Sequence, residues 1–295
     1  MKYPFIGTGV ALVTPFKNDL SVDTKSLHSI VDYVINQGVN FLVALGTTSE
    51  APTLNQNEKD LVLDTILEAA DNRVPIVLGV GGNNTYEVVR QLETKSMEGI
   101  SGILSVVPYY NKPNQQGLFE HFDTIAKASP RPIILYNVPG RSGANLKAST
   151  TIHLAEEHKN IIGIKEASGD FLQIMDILKD KPSHFEVISG DDALTLPLMA
   201  LGAVGVISVT ANALTQQFSD MVRLLNENNT VEARKIHFSM LKMYELLFSE
   251  GNPAGIKALM SLMGLCKEFH RLPLVPVTKS TKERIEVESK YFINL

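Results

Sequence analysis

The chain has one cysteine, Cys266, in 295 residues. An intramolecular disulfide is therefore impossible, and no cysteine cluster can hold zinc or an iron–sulfur centre. A lone thiol serves more often as core filler than as a nucleophile. Histidine is also scarce and scattered: His28, His121, His153, His158, His184, His237 and His270. No two stand four apart, the spacing that gives one helical face two metal ligands. Positive charge is not in excess. A net charge of −5 argues against nucleic acid as the main partner. Long hydrophobic runs are missing, so no membrane span is expected, and Met1-Lys2-Tyr3-Pro4-Phe5 does not read as a signal peptide. The cytoplasm is the expected location. Gly79-Val80-Gly81-Gly82 lacks the third glycine of a dinucleotide fingerprint and the Gly-Lys-Thr ending of a phosphate loop, so a bound nucleotide is not expected.

What is present is a large apolar content, 44% of residues, in a regular alternation. Short runs rich in β-branched residues predict strands at Gly9–Val13, Phe41–Leu45, Ile76–Gly79, Gly102–Val106, Ile133–Tyr136, Ile161–Lys165, Phe185–Ser189 and Gly205–Ser208. Amphipathic stretches between them predict helices at Thr24–Gln37, Gln56–Ala70, Thr85–Met97, Gln116–Ala128, Thr150–His158, Asp170–Leu178 and Ala193–Ala200. Eight strands, each followed by a helix, read as a (β/α)8 TIM barrel. A doubly wound open sheet is the alternative, because nearly continuous apolar strands suit either parallel architecture. After the eighth strand only helical patterns follow, at Asn212–Leu225, Val231–Phe248 and Gly255–Leu265, with breaks at Asn226-Glu227-Asn228-Asn229 and Asn252-Pro253. The division expected is a catalytic barrel over residues 1–226 and a C-terminal helical domain over 227–295.

Barrels of this kind carry their chemistry at the C-terminal ends of the strands. The most informative end is Ile161-Ile162-Gly163-Ile164-Lys165, an apolar run closed by an amine. A lysine held at the rim of an apolar core is poorly solvated as a cation, and its neutral form attacks a ketone to give a Schiff base. A lysine snorkelling into water is the plainer reading, and the other strand ends weigh against it. Strand two ends in Gly46-Thr47-Thr48-Ser49-Glu50, strand four in Pro108-Tyr109-Tyr110-Asn111, and strand five in Tyr136-Asn137-Val138-Pro139-Gly140-Arg141. Strand seven gives Ser189-Gly190-Asp191-Asp192 and strand eight Val206-Ile207-Ser208. Attack of Lys165 on a 2-oxo acid needs a nearby proton donor for loss of water, and Tyr136 suits that role. Thr47 is placed to relay the proton, Thr48 to hold a carboxylate, and the planar fork of Arg141 to bind a carboxylate bidentately. Each also has a structural reading: Gly46-Thr47-Thr48 as a helix cap, Tyr136 as a core tyrosine, Arg141 as a surface ion-pair partner. Asp191-Asp192 reads as an acidic helix start rather than a metal pair.

Five of these strand ends, those of strands two, four, five, six and seven, resemble the dihydrodipicolinate synthase family of pyruvate-dependent class I lyases, and the resemblance runs in order from Gly9 to about Pro276. The resemblance implies an enzyme without cofactor or metal. Pyruvate would form a Schiff base on Lys165, and its enamine would condense with L-aspartate 4-semialdehyde on the way to diaminopimelate and lysine. Tyr136 would be proton donor and acceptor, linked through Thr47 to Tyr110 of a neighbouring subunit. Thr48 and Ile207 would contact pyruvate beside Gly190, and Arg141 would meet the semialdehyde carboxylate. A homotetramer built as a dimer of dimers is implied, with no nucleic-acid or membrane partner.

Two departures stand out. The family usually has glycine where this chain has Ser49, which raises the prospect of backbone strain beside Thr47. Lysine-inhibited members have an effector pocket that Asn83, Glu87 and Tyr109 match, but Gln56 and Lys59 stand where some of them carry histidines. Other readings are N-acetylneuraminate lyase or a 2-keto-3-deoxy-sugar-acid aldolase, which share the Schiff base, and a non-enzymatic barrel that senses a 2-oxo acid. Arg141 and the double threonine favour the semialdehyde over a sugar. Lys165 and Tyr136 together favour an enzyme over a sensor. A metal-dependent aldolase would need histidine at these strand ends, and they carry none.

Overall fold

The computed structural model describes residues 3–293. Eight strands close into a parallel barrel in the order β1 to β8: β1 Gly7–Ala11, β2 Phe41–Ala44, β3 Ile76–Gly79, β4 Gly102–Val106, β5 Ile133–Asn137, β6 Ile161–Glu166, β7 Glu186–Ser189 and β8 Gly205–Ser208. The open-sheet alternative is thereby set aside. All residues of β1, β2, β5 and β8 are buried, as expected for strands covered on both faces.

The helices follow from apolar spacing and caps. In Thr24–Asn36 the buried positions Leu27, Ile30, Val31 and Val34 form one stripe, and Asp23 caps the start by accepting from the Ser26 amide. Gln56–Ala70 opens with a capping box in which Asn55 and Glu58 satisfy each other's amides at 3.0 and 2.9 Å. Asn114, Asp170, Asn229 and Thr278 cap later helices, each side chain accepting from an amide of the first turn.

The chain divides into two compact units. One contains the residues up to Ile6 and Pro75–Ile207; it carries β3 to β7 and most of β8. The other contains Gly7–Val74 and everything from Ser208 on; it carries β1, β2 and the C-terminal helices Thr215–Asn226, Thr230–Phe248, Ala254–Leu262 and Lys279–Ser289. In this second unit a Cβ at Gly255 would meet the Leu247 carbonyl oxygen at 2.2 Å, so glycine is what lets two of these helices approach. Among the described residues no helix is long and apolar enough to cross a membrane.

Two boundaries differ instructively from the pattern in the sequence. β1 ends at Ala11 although the apolar run continues to Val13, because the Val13 amide donates to the Asn212 side chain at 3.1 Å instead of to a strand. The helix expected to reach Leu265 stops at Leu262, where Gly264 turns left-handed at φ 73° and the Leu265 amide folds back onto the Met260 carbonyl.

Candidate active site

In the first unit, β5 and β6 run in register, with Tyr136 beside Lys165 and Asn137 beside Glu166. Successive strand residues face opposite sides, so Tyr136 and Lys165 share one face and Asn137 and Glu166 the other. Lys165 is 5% exposed. Its Nζ lies 4.4 Å from the centroid of the Tyr136 ring, within cation–π range. None of the ion pairs among the described residues involves Lys165. The neighbouring strand leaves no spare room. A Cβ at Gly190 would stand 2.7 Å from Ala167 Cβ and 3.0 Å from Lys165 Cε. The Gly190 amide donates to the Glu166 carbonyl at 2.8 Å, fixing that approach. Ile207 is buried near the end of β8.

The opposite face of the same strand ends is a polar network. Glu166 is fully buried, and every donor to its carboxyl is neutral. Asn137 Nδ2 donates at 3.0 and 3.2 Å, the Ser168 amide at 3.0 Å and Gln173 Nε2 at 3.3 Å. Burial raises its pKa, and these hydrogen bonds only partly oppose that. Asn137 also donates to Asn145 at 2.8 Å and accepts from the Leu146 amide at 2.9 Å. The network therefore ties the stretch just after Arg141 to the strands that carry the amine and the phenol. Arg141 itself is exposed, in the short helical turn Pro139–Ser142. Tyr110 is 88% exposed with φ 74°.

In the second unit, Thr47–Ser49 form a single 3-10 turn after β2. Ser49 donates its hydroxyl to the Gly46 carbonyl at 2.7 Å. The left-handed residues here are Leu45 and Glu50, at φ 55° and 57°, and not Ser49, so the serine brings no strain to the turn. Thr47 is half-buried. Thr48 is buried, and its hydroxyl oxygen accepts from Asn252 Nδ2 at 3.0 Å. Glu50 is buried against Lys257.

A sequence profile of the Dihydrodipicolinate synthetase family matches residues 4–290. The chain belongs to that family. It is 50% identical over 286 residues to the 4-hydroxy-tetrahydrodipicolinate synthase of Flavobacterium psychrophilum, covering 97% of this chain and 98% of that one. It is 53% identical over 279 residues to the enzyme of the same name from Parabacteroides distasonis, covering 95% and 94%. A crystal structure of a chloride-inhibited dihydrodipicolinate synthase from Acinetobacter baumannii, complexed with pyruvate, superimposes with a TM-score of 0.94 at 39% identity, covering 98% of this chain and all of that one.

Asn83, Glu87 and Tyr109, the residues expected to form an effector pocket, lie in the first unit. Asn83 Nδ2 donates to the Tyr109 carbonyl at 3.2 Å, and Asn111 donates back to the Asn83 carbonyl at 3.0 Å. Glu87 is already engaged: Arg90 donates to it through Nε at 3.0 Å and forms an ion pair. That hydrogen bond holds the Glu87 carboxyl below its ordinary pKa. Among the described residues no three His, Cys, Asp or Glu side chains are grouped to hold a metal ion. Asp191 accepts from the Ala193 and Leu194 amides at 2.9 and 3.2 Å, capping the turn before the helix Thr195–Ala200. Gly81 also has a packing role: a Cβ there would meet the Val106 side chain at 2.9 Å.

Sequence reasoning missed the groups behind the strand ends: Asn137, Asn145, Glu166 and Gln173 in one unit, Asn252 and Lys257 in the other. The one available signal was Lys257, a lone charge in the apolar run Ala254–Leu262. Its partner Glu50 lies 207 residues away in the chain, which no local pattern reveals.

Proposed function

We propose that the chain is a 4-hydroxy-tetrahydrodipicolinate synthase, a class I lyase that condenses pyruvate with L-aspartate 4-semialdehyde in the diaminopimelate route to lysine. The observation that carries the reading is the buried Lys165 amine over the Tyr136 ring, in a chain whose full-length relatives bear that name. The Lys165 amine adds to the keto carbon of pyruvate. The carbinolamine loses water, taking a proton from Tyr136, and becomes an imine. Loss of a methyl proton gives the enamine, whose terminal carbon forms a bond to the semialdehyde carbon while the aldehyde oxygen takes up a proton. The semialdehyde amine then adds to the imine carbon and displaces Lys165, closing the ring. One water is released overall, and the enzyme amine is regenerated.

Thr47 relays the proton between Tyr136 and Tyr110. Thr48 and Ile207 hold pyruvate beside Gly190, and Arg141 binds the semialdehyde carboxylate. The high exposure of Tyr110 supports its acting on a neighbouring subunit in a homotetramer. Asn83, Glu87 and Tyr109 are the effector site in this reading, and a lysine ammonium must displace Arg90 to reach Glu87. The cytoplasm, where amino-acid precursors are made, is the location proposed.

Two measurements test the reading. Borohydride reduction in the presence of pyruvate is expected to leave a stable adduct on Lys165. A coupled assay is expected to show turnover with pyruvate plus aspartate semialdehyde and none with pyruvate plus N-acetylmannosamine. The opposite preference would assign the chain to the sugar-acid branch, and the lack of any adduct would remove the lyase.

A further inference from the structure

Glu50 closes the Gly46-Thr47-Thr48-Ser49-Glu50 run, and the proposed chemistry gives it no task. Its carboxyl turns inward. One oxygen pairs with Lys257, and the other accepts from the Arg271 amide at 3.2 Å. Both Glu50 and Lys257 have fully buried side chains. Lys257 also donates to the Phe269 carbonyl at 2.9 Å and lies 4.4 Å from the centroid of the Phe16 ring. Two residues before Glu50, Thr48 accepts from Asn252, five residues before Lys257. Beyond Glu50, Arg271 donates to the Thr53 carbonyl at 2.9 Å and to both carboxyl oxygens of Glu58, at 2.8 and 2.6 Å. One C-terminal segment thus grips the threonine loop at three points.

An ion pair taken fully out of water is a poor device for stability alone, since a well-packed apolar pair of similar volume is often as stable. What it supplies is position. The two charges are satisfied only when Glu50 stands at one place and one angle. The left-handed backbone of Glu50 persists under that constraint, although such a conformation is strained for a non-glycine residue.

We infer that Glu50 and Lys257 are positioning residues: their buried pair sets the angle at which Thr47 and Thr48 present their hydroxyls to the 2-oxo acid. The C-terminal helices are then part of the catalytic apparatus rather than an appendage to it. This rests on the synthase reading above.

Three variants test it: Lys257→Met, the double variant Glu50→Gln with Lys257→Met, and Glu50→Asp. Each is followed by melting temperature, by steady-state rate against pyruvate concentration, and by borohydride trapping. The single Lys257→Met strands a buried charge and is expected to melt early. The double variant replaces both charges with neutral groups, so it is expected to melt within about 3 °C of the unaltered protein. It should nevertheless need about tenfold more pyruvate for half-saturation, because the loop has lost its reference point. Glu50→Asp keeps the charge but withdraws the carboxyl by one methylene, and is expected to shift the pyruvate dependence in the same direction. A folded double variant with unaltered pyruvate KM and kcat overturns the inference; if that variant does not fold, unaltered constants in Glu50→Asp do so. The unaltered protein run alongside separates the two readings. An adduct there, with variants that match it, sinks only the positioning role. No adduct there sinks the synthase reading and the positioning role with it.

Discussion

Two buried glutamates stand next to residues proposed for the reaction, and they are held in opposite ways. Glu166 follows Lys165 and receives hydrogen bonds from Asn137, Ser168 and Gln173, none of them charged. Glu50 follows the threonines and is paired with Lys257. The pKa values separate accordingly. Burial raises Glu166. Burial pushes Glu50 up too, but His270, Lys257 and the Arg271 amide outweigh it and hold the carboxyl below its ordinary range. The lesson concerns charge near a reactive amine. Neutral amide donors satisfy the buried Glu166 carboxyl without placing a second cation beside Lys165, and they only partly offset the rise that burial gives its pKa. Around the threonine loop no amine has to react, so a full ion pair can be used to fix position.

The largest effect expected is at the amine itself. Lys165→Ala should lose the pyruvate adduct and at least about 10³-fold in turnover with circular dichroism and melting unchanged. Retained turnover would contradict the mechanism.

The contrast between the two glutamates is sharpened next by stability. Lys257→Met leaves Glu50 buried without its cation and is expected to cost about 3–5 kcal/mol. Glu166→Gln keeps shape but turns an amide group toward existing donors, at a cost of about 1–3 kcal/mol. Equilibrium denaturation of both variants measures the difference, and equal costs would erase the distinction between charged and neutral locking.

Acidity offers a test of sign. The folded protein holds the Glu166 proton more tightly than the unfolded chain, so that contribution is full at low pH and is lost as pH rises from the ordinary carboxylate range through the raised value. Glu58 behaves in reverse. Hydrogen bonds from Arg271 hold it at about 2, so its contribution is full above the ordinary carboxylate value and is lost as pH falls toward about 2. Arg271→Met is therefore expected to cost about 1–2 kcal/mol near neutrality, a figure reduced for partial solvent access, with the cost fading in acid. Denaturation series at several pH values would show opposite slopes for the Glu166 and Arg271 variants. The smallest effect concerns Cys266, buried, with its thiol pushed up to about 11 by burial. The native protein should be inert to a thiol reagent at neutral pH, with one equivalent reacting after denaturation.

Much of the barrel was readable because its signals are local. β3, β4, β8 and the helix Gln56–Ala70 have the bounds that their apolar pattern and caps require. The helix Lys279–Ser289 escaped notice because its surface is mostly polar, and only Thr281, Ile285 and Ser289 are buried. Lys165 and Tyr136 were legible as an amine and a phenol closing apolar strands, and adjacent registration of β5 and β6 brings them together. Ser49 shows the converse. Its residue type suggested strain, yet the turn places the left-handed conformation on Glu50 instead.

By itself the sequence determined the alternation of strand and helix, the strand-end groups and the family, since each is written in neighbouring residues or in a motif a few positions long. Only the tertiary structure decided what stands behind those groups. Neutral amides surround Glu166 and a buried lysine answers Glu50 because chain segments far apart in sequence had to satisfy, in a space closed to water, charges and hydrogen bonds that no short stretch can satisfy alone.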